Sequence, residues 1–152
     1  MKLAEALIVR ADLKTRAAQL RERLKANAKV QEGETPSENP QDLLREFEEI
    51  AAQMLTLIQQ INRTNVQTPF EDGETLADAL ARRDVLKWRI LVYRELVTAA
   101  REVISPYTRS EIKTLASVDV RATQKQIDEL SRQLRELDTR VQALNWSVDA
   151  VE

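Results

Sequence analysis

Apolar residues recur along the chain at alternating steps of three and four, the spacing of an α-helix packed lengthwise against other helices. The pattern is clearest between Thr75 and Ile104, a segment without glycine or proline. Its seam comprises Leu76, Ala79, Arg83, Leu86, Ile90, Tyr93, Val97, Ala100 and Ile104. Three further segments carry the same spacing, so the pattern predicts four long amphipathic helices.

Glycine and proline separate these segments, because both residues interrupt helices more strongly than any other. The two glycines and four prolines fall within or beside three gaps, at residues 29–39, 66–74 and 105–118. The predicted helices therefore cover residues 2–28, 40–65, 75–104 and 119–148.

Polar residues at the predicted helix starts support these boundaries. Asn39 precedes Pro40, and Thr75 precedes Asp78 by three residues, as in a capping box with Asp in place of Glu. Asp119 is a third N-cap candidate. Four helices of comparable length, each about 40 Å long, predict an all-α fold. We expect one domain, an antiparallel four-helix bundle of long, coiled-coil-like helices.

The third predicted helix is apolar on two sides. Its second stripe comprises Ala81, Val85, Trp88, Val92, Leu96, Ala99 and Val103. One stripe can enter the bundle core, and the other needs a cover, either the first two helices of the same chain or another chain. A tryptophan between two valines is typical of an interface anchor. The pattern favours a homo-oligomer interface through Val85, Trp88, Val92, Leu96 and Val103.

Two arginines, Arg10 and Arg83, occupy seam positions where leucine is expected. Counted from the end that holds both termini, they lie near the same level as Asp84 and Asp138. Three interpretations stay open: buried stems with solvated guanidinium groups, an ion pair that fixes helix register, or a ligand or anion site. Further polar residues approach the same end of the bundle: Asn62, Arg63, Asn65 and Asn145.

The last gap, residues 105–118, is long for a connection within a bundle. It is either a solvated connection or a loop with a partner or ligand role, since long loops often carry function. Its candidate residues are Tyr107, Arg109, Ser110, Glu111 and Lys113. The pattern leaves residues 112–118 open between an extended segment and a short helical turn.

Composition narrows the possible chemistry. The chain has 152 residues, a formal net charge of -2, no cysteine and no histidine. The charge argues against nucleic acid as a partner, and the missing residue types exclude thiolate catalysis, histidine bases and their usual metal sites. We expect no cofactor, no metal and no enzymatic activity. No segment approaches the roughly 18 apolar residues of a membrane span, so we expect a cytoplasmic protein without membrane partners.

Short segments across the chain resemble the septicolysin-like family of small bacterial helical proteins. They are KLAEALI (2–8), KVQEG (29–33), INRTN (61–65), ALARRD (79–84), RSEIK (109–113) and LNW (144–146). The resemblance implies oligomeric assembly, with a ring among the arrangements, and the family name implies a pore-forming cytolysin. It assigns no catalytic residue.

The residues themselves favour a helical-bundle protein that acts through self-assembly or partner binding. A pore-forming cytolysin and a small-molecule or anion-binding protein are the alternatives.

Overall fold

The computed structural model describes residues 1–102 and 112–152, and these ranges contain four helices and no strand. The helices are α1 (Leu3–Ala26), α2 (Pro40–Gln67), α3 (Leu76–Arg101) and α4 (Val120–Ser147). The predicted all-α, four-helix fold is confirmed. The third helix, predicted to reach residue 104, ends at Arg101 with Glu102 as its C-cap; residues 103–104 and the first half of the third gap lie outside the described residues.

The helix ends differ from the predicted boundaries where side chains compete for the backbone. α1 ends at Ala26, two residues early, because Asn27 turns its amide back onto the carbonyl of Arg23 (2.9 Å) and caps the helix. α2 continues to Gln67, since nothing in its last turn interrupts a helix before Pro69.

The three predicted N-caps are confirmed. The Asn39 side chain accepts a hydrogen bond from the backbone N–H of the second residue of α2 (2.9 Å). Thr75 and Asp78 bond reciprocally, with the carboxylate of Asp78 2.8 Å from the Thr75 nitrogen. Asp119 accepts from the third residue of α4 (2.9 Å). These caps satisfy amides that a helix start leaves without intrahelical partners.

The helices pack in chain order around a square. α1 lies closely against α2 and α3 closely against α4, forming two antiparallel hairpins, while α1–α4 and α2–α3 touch over shorter lengths. Within the described ranges, no Cα atom of α1 lies within 8 Å of a Cα atom of α3, and the same holds for α2 and α4. The core runs between the hairpins and consists of aliphatic seam residues: Leu3, Ala6, Leu13, Leu20, Leu43, Ile50, Leu57, Ile61, Leu76, Ala79, Leu86, Ile90, Leu130, Leu137 and Val141.

The chain termini join the two hairpins at one end, in what we call the end clasp (residues 1–3, Thr64 and residues 148–151). The Leu3 nitrogen donates to the carbonyl of Val148 (2.9 Å), and the Ala150 nitrogen donates to that of Met1 (2.8 Å). The side-chain hydroxyl of buried Thr64 accepts a hydrogen bond from the backbone N–H of Val151 (2.9 Å). The clasp therefore ties α1, α2 and α4 together.

The link between α2 and α3 is a small hairpin at the same end. Asp72 and Gly73 both have positive φ, 48° and 80°, as the two central residues of a type I′ turn require. The backbone N–H of Glu74 donates a hydrogen bond to the Glu71 carbonyl (2.7 Å). The hairpin places both glutamates beside the first turns of α3. In the third link, the described residues 112–119 form neither a helix nor a strand.

Candidate functional site

The second apolar stripe of α3 lies on the protein surface. Val85, Trp88, Val92 and Leu96, which we call the α3 ridge, are 51, 67, 50 and 40% exposed. At about 100° per residue they lie opposite the buried seam that packs on α4. The other helices of the same chain therefore leave the ridge uncovered. Val103, the last residue predicted for this surface, lies outside the described residues.

A groove beside the ridge, the α3–α4 groove, encloses about 560 Å³. Leu86 and Leu137, both buried core residues, form its apolar floor, and Val85 belongs to both the groove and the ridge. Charged and polar side chains form its rim: Glu71, Arg82, Arg89, Gln133, Glu136 and Arg140. An apolar floor with a polar rim is the usual composition of a binding groove.

The α2–α3 hairpin anchors the closed end of this groove through ion pairs. Arg82 lies 2.9 Å from Glu74 and 3.8 Å from Glu71, and Arg140 on α4 also pairs with Glu71. The Arg82 guanidinium stands 5.9 Å from the centre of the Phe70 ring, within cation–π range. Exposed pairs of this kind stabilise a fold little, so their main effect is to position the rim.

Ion pairs on α4 also orient the open side of the groove. Arg132 donates to Glu136 (2.7 Å) and to Glu129 (2.6 Å), and Gln133 donates to Glu129 (3.1 Å). The hydrogen bond from Arg132, and to a smaller extent that from Gln133, lowers the pKa of Glu129 to about 2. Within the described residues, Arg89 has no carboxylate within 4 Å.

The polar layer is smaller than the sequence predicts. Arg83 Nη1 lies 3.4 Å from Asp138 Oδ1, and among the residues that the structure describes the buried Arg83 Nε has no hydrogen-bond partner. Asp84 is exposed on the neighbouring face, and Arg10 is exposed on α1. The structure therefore brings together one arginine and one aspartate, and it leaves Arg10 with its head in water, as long basic side chains commonly are.

The remaining predicted residues do not converge on a pocket. Asn62 and Arg63 are exposed, Asn65 is half-buried and Asn145 is buried. In the third link, Lys113 is exposed. The other candidates there lie outside the described residues: Tyr107, Arg109, Ser110 and Glu111.

Metal-binding clusters and membrane-spanning helices are both absent from the described ranges. Residues 1–102 and 112–152 contain no cluster of three or more acidic side chains placed to hold a metal ion. Over the same ranges, no helix combines the length and the apolar composition of a membrane span.

Comparison with known proteins places the chain in a family. The sequence model of a family of unknown function (DUF6847) matches residues 10–150. The chain belongs to this family. This DUF6847 protein is also similar to a solved structure, described as that of a functionally unknown conserved protein from Corynebacterium diphtheriae. The two chains are 41% identical, the match covers 99% of each, and the TM-score is 0.92. No curated protein matches the sequence.

The predicted resemblance to septicolysin-like proteins is wrong, because the matching family is DUF6847 and the solved relative is described only as functionally unknown. The segments that carried the resemblance are mostly stretches of helix seam and helix end. Such patterns recur in unrelated helical bundles because the same packing and capping rules produce them. The pore-forming activity implied by that name has no support here.

The α3–α4 groove was not predicted from the sequence. A signal was present: Arg82 and Arg89 are seven residues apart on α3, and Gln133 and Arg140 are seven apart on α4. A seven-residue interval returns to the same helix face, so each pair marks one flank. To predict that these two flanks line one groove, one must know which side of α3 packs on α4. The seam pattern does not supply that information.

Proposed function

We propose that this DUF6847 protein is a non-catalytic binding module that works as a homo-oligomer and self-associates through the α3 ridge. The observation that carries the proposal is the exposure of four large apolar residues in one line along α3, with charged residues on both sides of that line. Contiguous exposed apolar surface of this kind marks interaction sites on soluble proteins.

The charges beside the ridge support a second copy as the occupant, because the two flanks of the ridge complement each other. At about 100° per residue, Asp84 and Glu95 lie along one side, and Arg82 and Arg89 lie along the other. A two-fold contact uses one surface twice, so it needs this kind of self-complementarity.

Sedimentation or size exclusion with light scattering tests the proposal. We expect an oligomer at micromolar concentrations, and we expect Trp88→Glu to dissociate it, because two buried carboxylates would replace two buried indoles. Trp146→Glu is the matched control, since Trp146 is similarly exposed (57%) but lies on α4 away from the ridge. A wild-type protein that remains monomeric across micromolar concentrations would refute self-association, as would an assembly that both variants leave intact.

A further inference from the structure

The α3 ridge and the α3–α4 groove lie side by side, so one copy carries both a protruding aromatic residue and a cleft. Trp88 is 67% exposed, the most exposed member of the ridge. The groove begins one helical turn away at Val85, and Arg89 directly follows the tryptophan in sequence. A knob and a cleft on the same surface allow two copies to exchange contacts around a two-fold axis.

We infer that Trp88 of each copy inserts into the α3–α4 groove of the other, with the two α3 helices side by side and parallel. This inference rests on the proposed self-association and adds its geometry. The apolar floor would receive the indole ring, and the arginine rim would lie against the face of the ring. Aromatic residues buried in pockets are the commonest interface hot spots, and arginine binds indole faces by cation–π attraction.

Levels along the bundle agree with this contact. Counted at about 1.5 Å per residue from the clasped end, Trp88 lies about 18 Å along α3. Gln133 and Glu136 on the groove rim lie about 21 and 17 Å along α4. In a parallel pair equal residues share a level, so the tryptophan of one copy faces these rim residues of the other.

The charged flanks select the parallel arrangement. Trp88 leans towards the acidic flank with Asp84, whereas the groove opens on the basic flank with Arg89. A two-fold axis parallel to the helices brings opposite flanks together, so the acidic flank of one copy faces the basic flank of the other. A two-fold axis perpendicular to the helices brings like flanks together, which would set the basic flank of one copy against the basic flank of the other and turn each tryptophan away from the groove.

Filling the groove from α4 tests the insertion without changing α3. Gln133→Trp places a large side chain on the rim, and Gln126→Trp, at the equivalent exposed position one heptad earlier, is the matched control. We expect the dissociation constant of the dimer to rise at least about tenfold for the first variant and to stay near the wild-type value for the second. Unchanged or tighter association of the Gln133→Trp protein would overturn the inference.

Fluorescence reports the environment of Trp88 directly. The chain has two tryptophans, so Trp146→Phe leaves one indole. Its emission should shift to shorter wavelength as the concentration rises through the dimerisation range, since burial removes the indole from water. A dimer in which the emission does not move would overturn the insertion.

Cross-linking reports the direction of the helices. The chain has no cysteine, so Ala81→Cys and Ala99→Cys each introduce a single thiol at an exposed site near one end of the ridge. A short bis-maleimide should join each variant to itself in a parallel dimer. Cross-links that form only in a mixture of the two variants would mean antiparallel helices and would overturn the inference. A monomeric wild-type protein removes the proposed function as well, whereas a dimer that fails these tests removes the inference alone.

Discussion

Arg83 is the core-seam arginine whose replacement should make the protein more stable. Its Nε is buried and has no hydrogen-bond partner in the described part of the chain, which costs about 1–3 kcal/mol. Its 3.4 Å ion pair with Asp138 is partly exposed, and such pairs stabilise the folded state by about 0.2–1 kcal/mol. Methionine keeps the buried stem and removes the charge. We therefore expect Arg83→Met to raise the free energy of unfolding by about 1 kcal/mol, or the melting temperature by about 2–4 °C.

The comparison with two other variants makes this prediction specific. Asp138→Ala leaves the guanidinium of Arg83 without its carboxylate and should lower the free energy of unfolding by about 1 kcal/mol. Arg10→Met is the matched control, because Arg10 holds an equivalent seam position in α1 but is exposed, so its replacement should change stability by less than about 0.5 kcal/mol.

Thermal and urea unfolding at one fixed protein concentration measures all three variants, and sedimentation checks that assembly is unchanged. A melting temperature lowered by several degrees in Arg83→Met would refute the reasoning. It would mean that the ion pair stabilises the fold more than the buried Nε destabilises it, and the pair would then act as a device that fixes helix register.

Three further predictions concern the clasp, a helix cap and pH. Thr64→Val removes the hydroxyl that accepts from Val151 and should lower the urea-measured free energy of unfolding by about 1–2 kcal/mol, whereas Thr64→Ser should not. Asp78→Ala opens the capping box with Thr75 and should cost about 1 kcal/mol in the same assay; no change would mean that the cap is dispensable. Hydrogen bonding lowers the pKa of Glu129 from 4.5 to about 2, so the unfolded chain takes up this proton first. That contribution to stability is therefore present above pH 4.5 and disappears as pH falls towards 2. A thermal scan against pH checks this, and a Glu129→Gln protein with the same acid profile as the wild type would contradict it.

The number of helices and most of their starts could be predicted from the sequence because both depend on local rules. Pro40 can begin a helix but cannot lie inside one, and Asn39, Thr75 and Asp119 carry short side chains that reach the first free amides. Helix ends are set less locally. The end of α1 depends on Asn27, which caps α1 and also accepts from Glu38 in the following link (3.0 Å).

The candidate site could be predicted only in part. The α3 ridge could be predicted from the sequence because one helix cannot bury two opposite apolar stripes against a single neighbour. Pairing Arg83 with Asp138 needs only levels along the helices, whereas the exposure of Arg10 depends on how α1 is rotated about its own axis. The α3–α4 groove depends on the turn at Gly73, which brings glutamates from the α2–α3 link onto two arginines of different helices. Nothing in the spacing of those residues records that contact.

The end clasp also makes the molecule suitable for circular permutation. Because the Ala150 nitrogen bonds to the Met1 carbonyl, a short glycine linker could join the two ends of the polypeptide without moving a helix. A new start could then be opened near Gly33, which sits in an exposed turn with open space around it. In the permuted protein each helix would keep its present neighbours. The two new termini would lie at the end of the bundle opposite the end clasp.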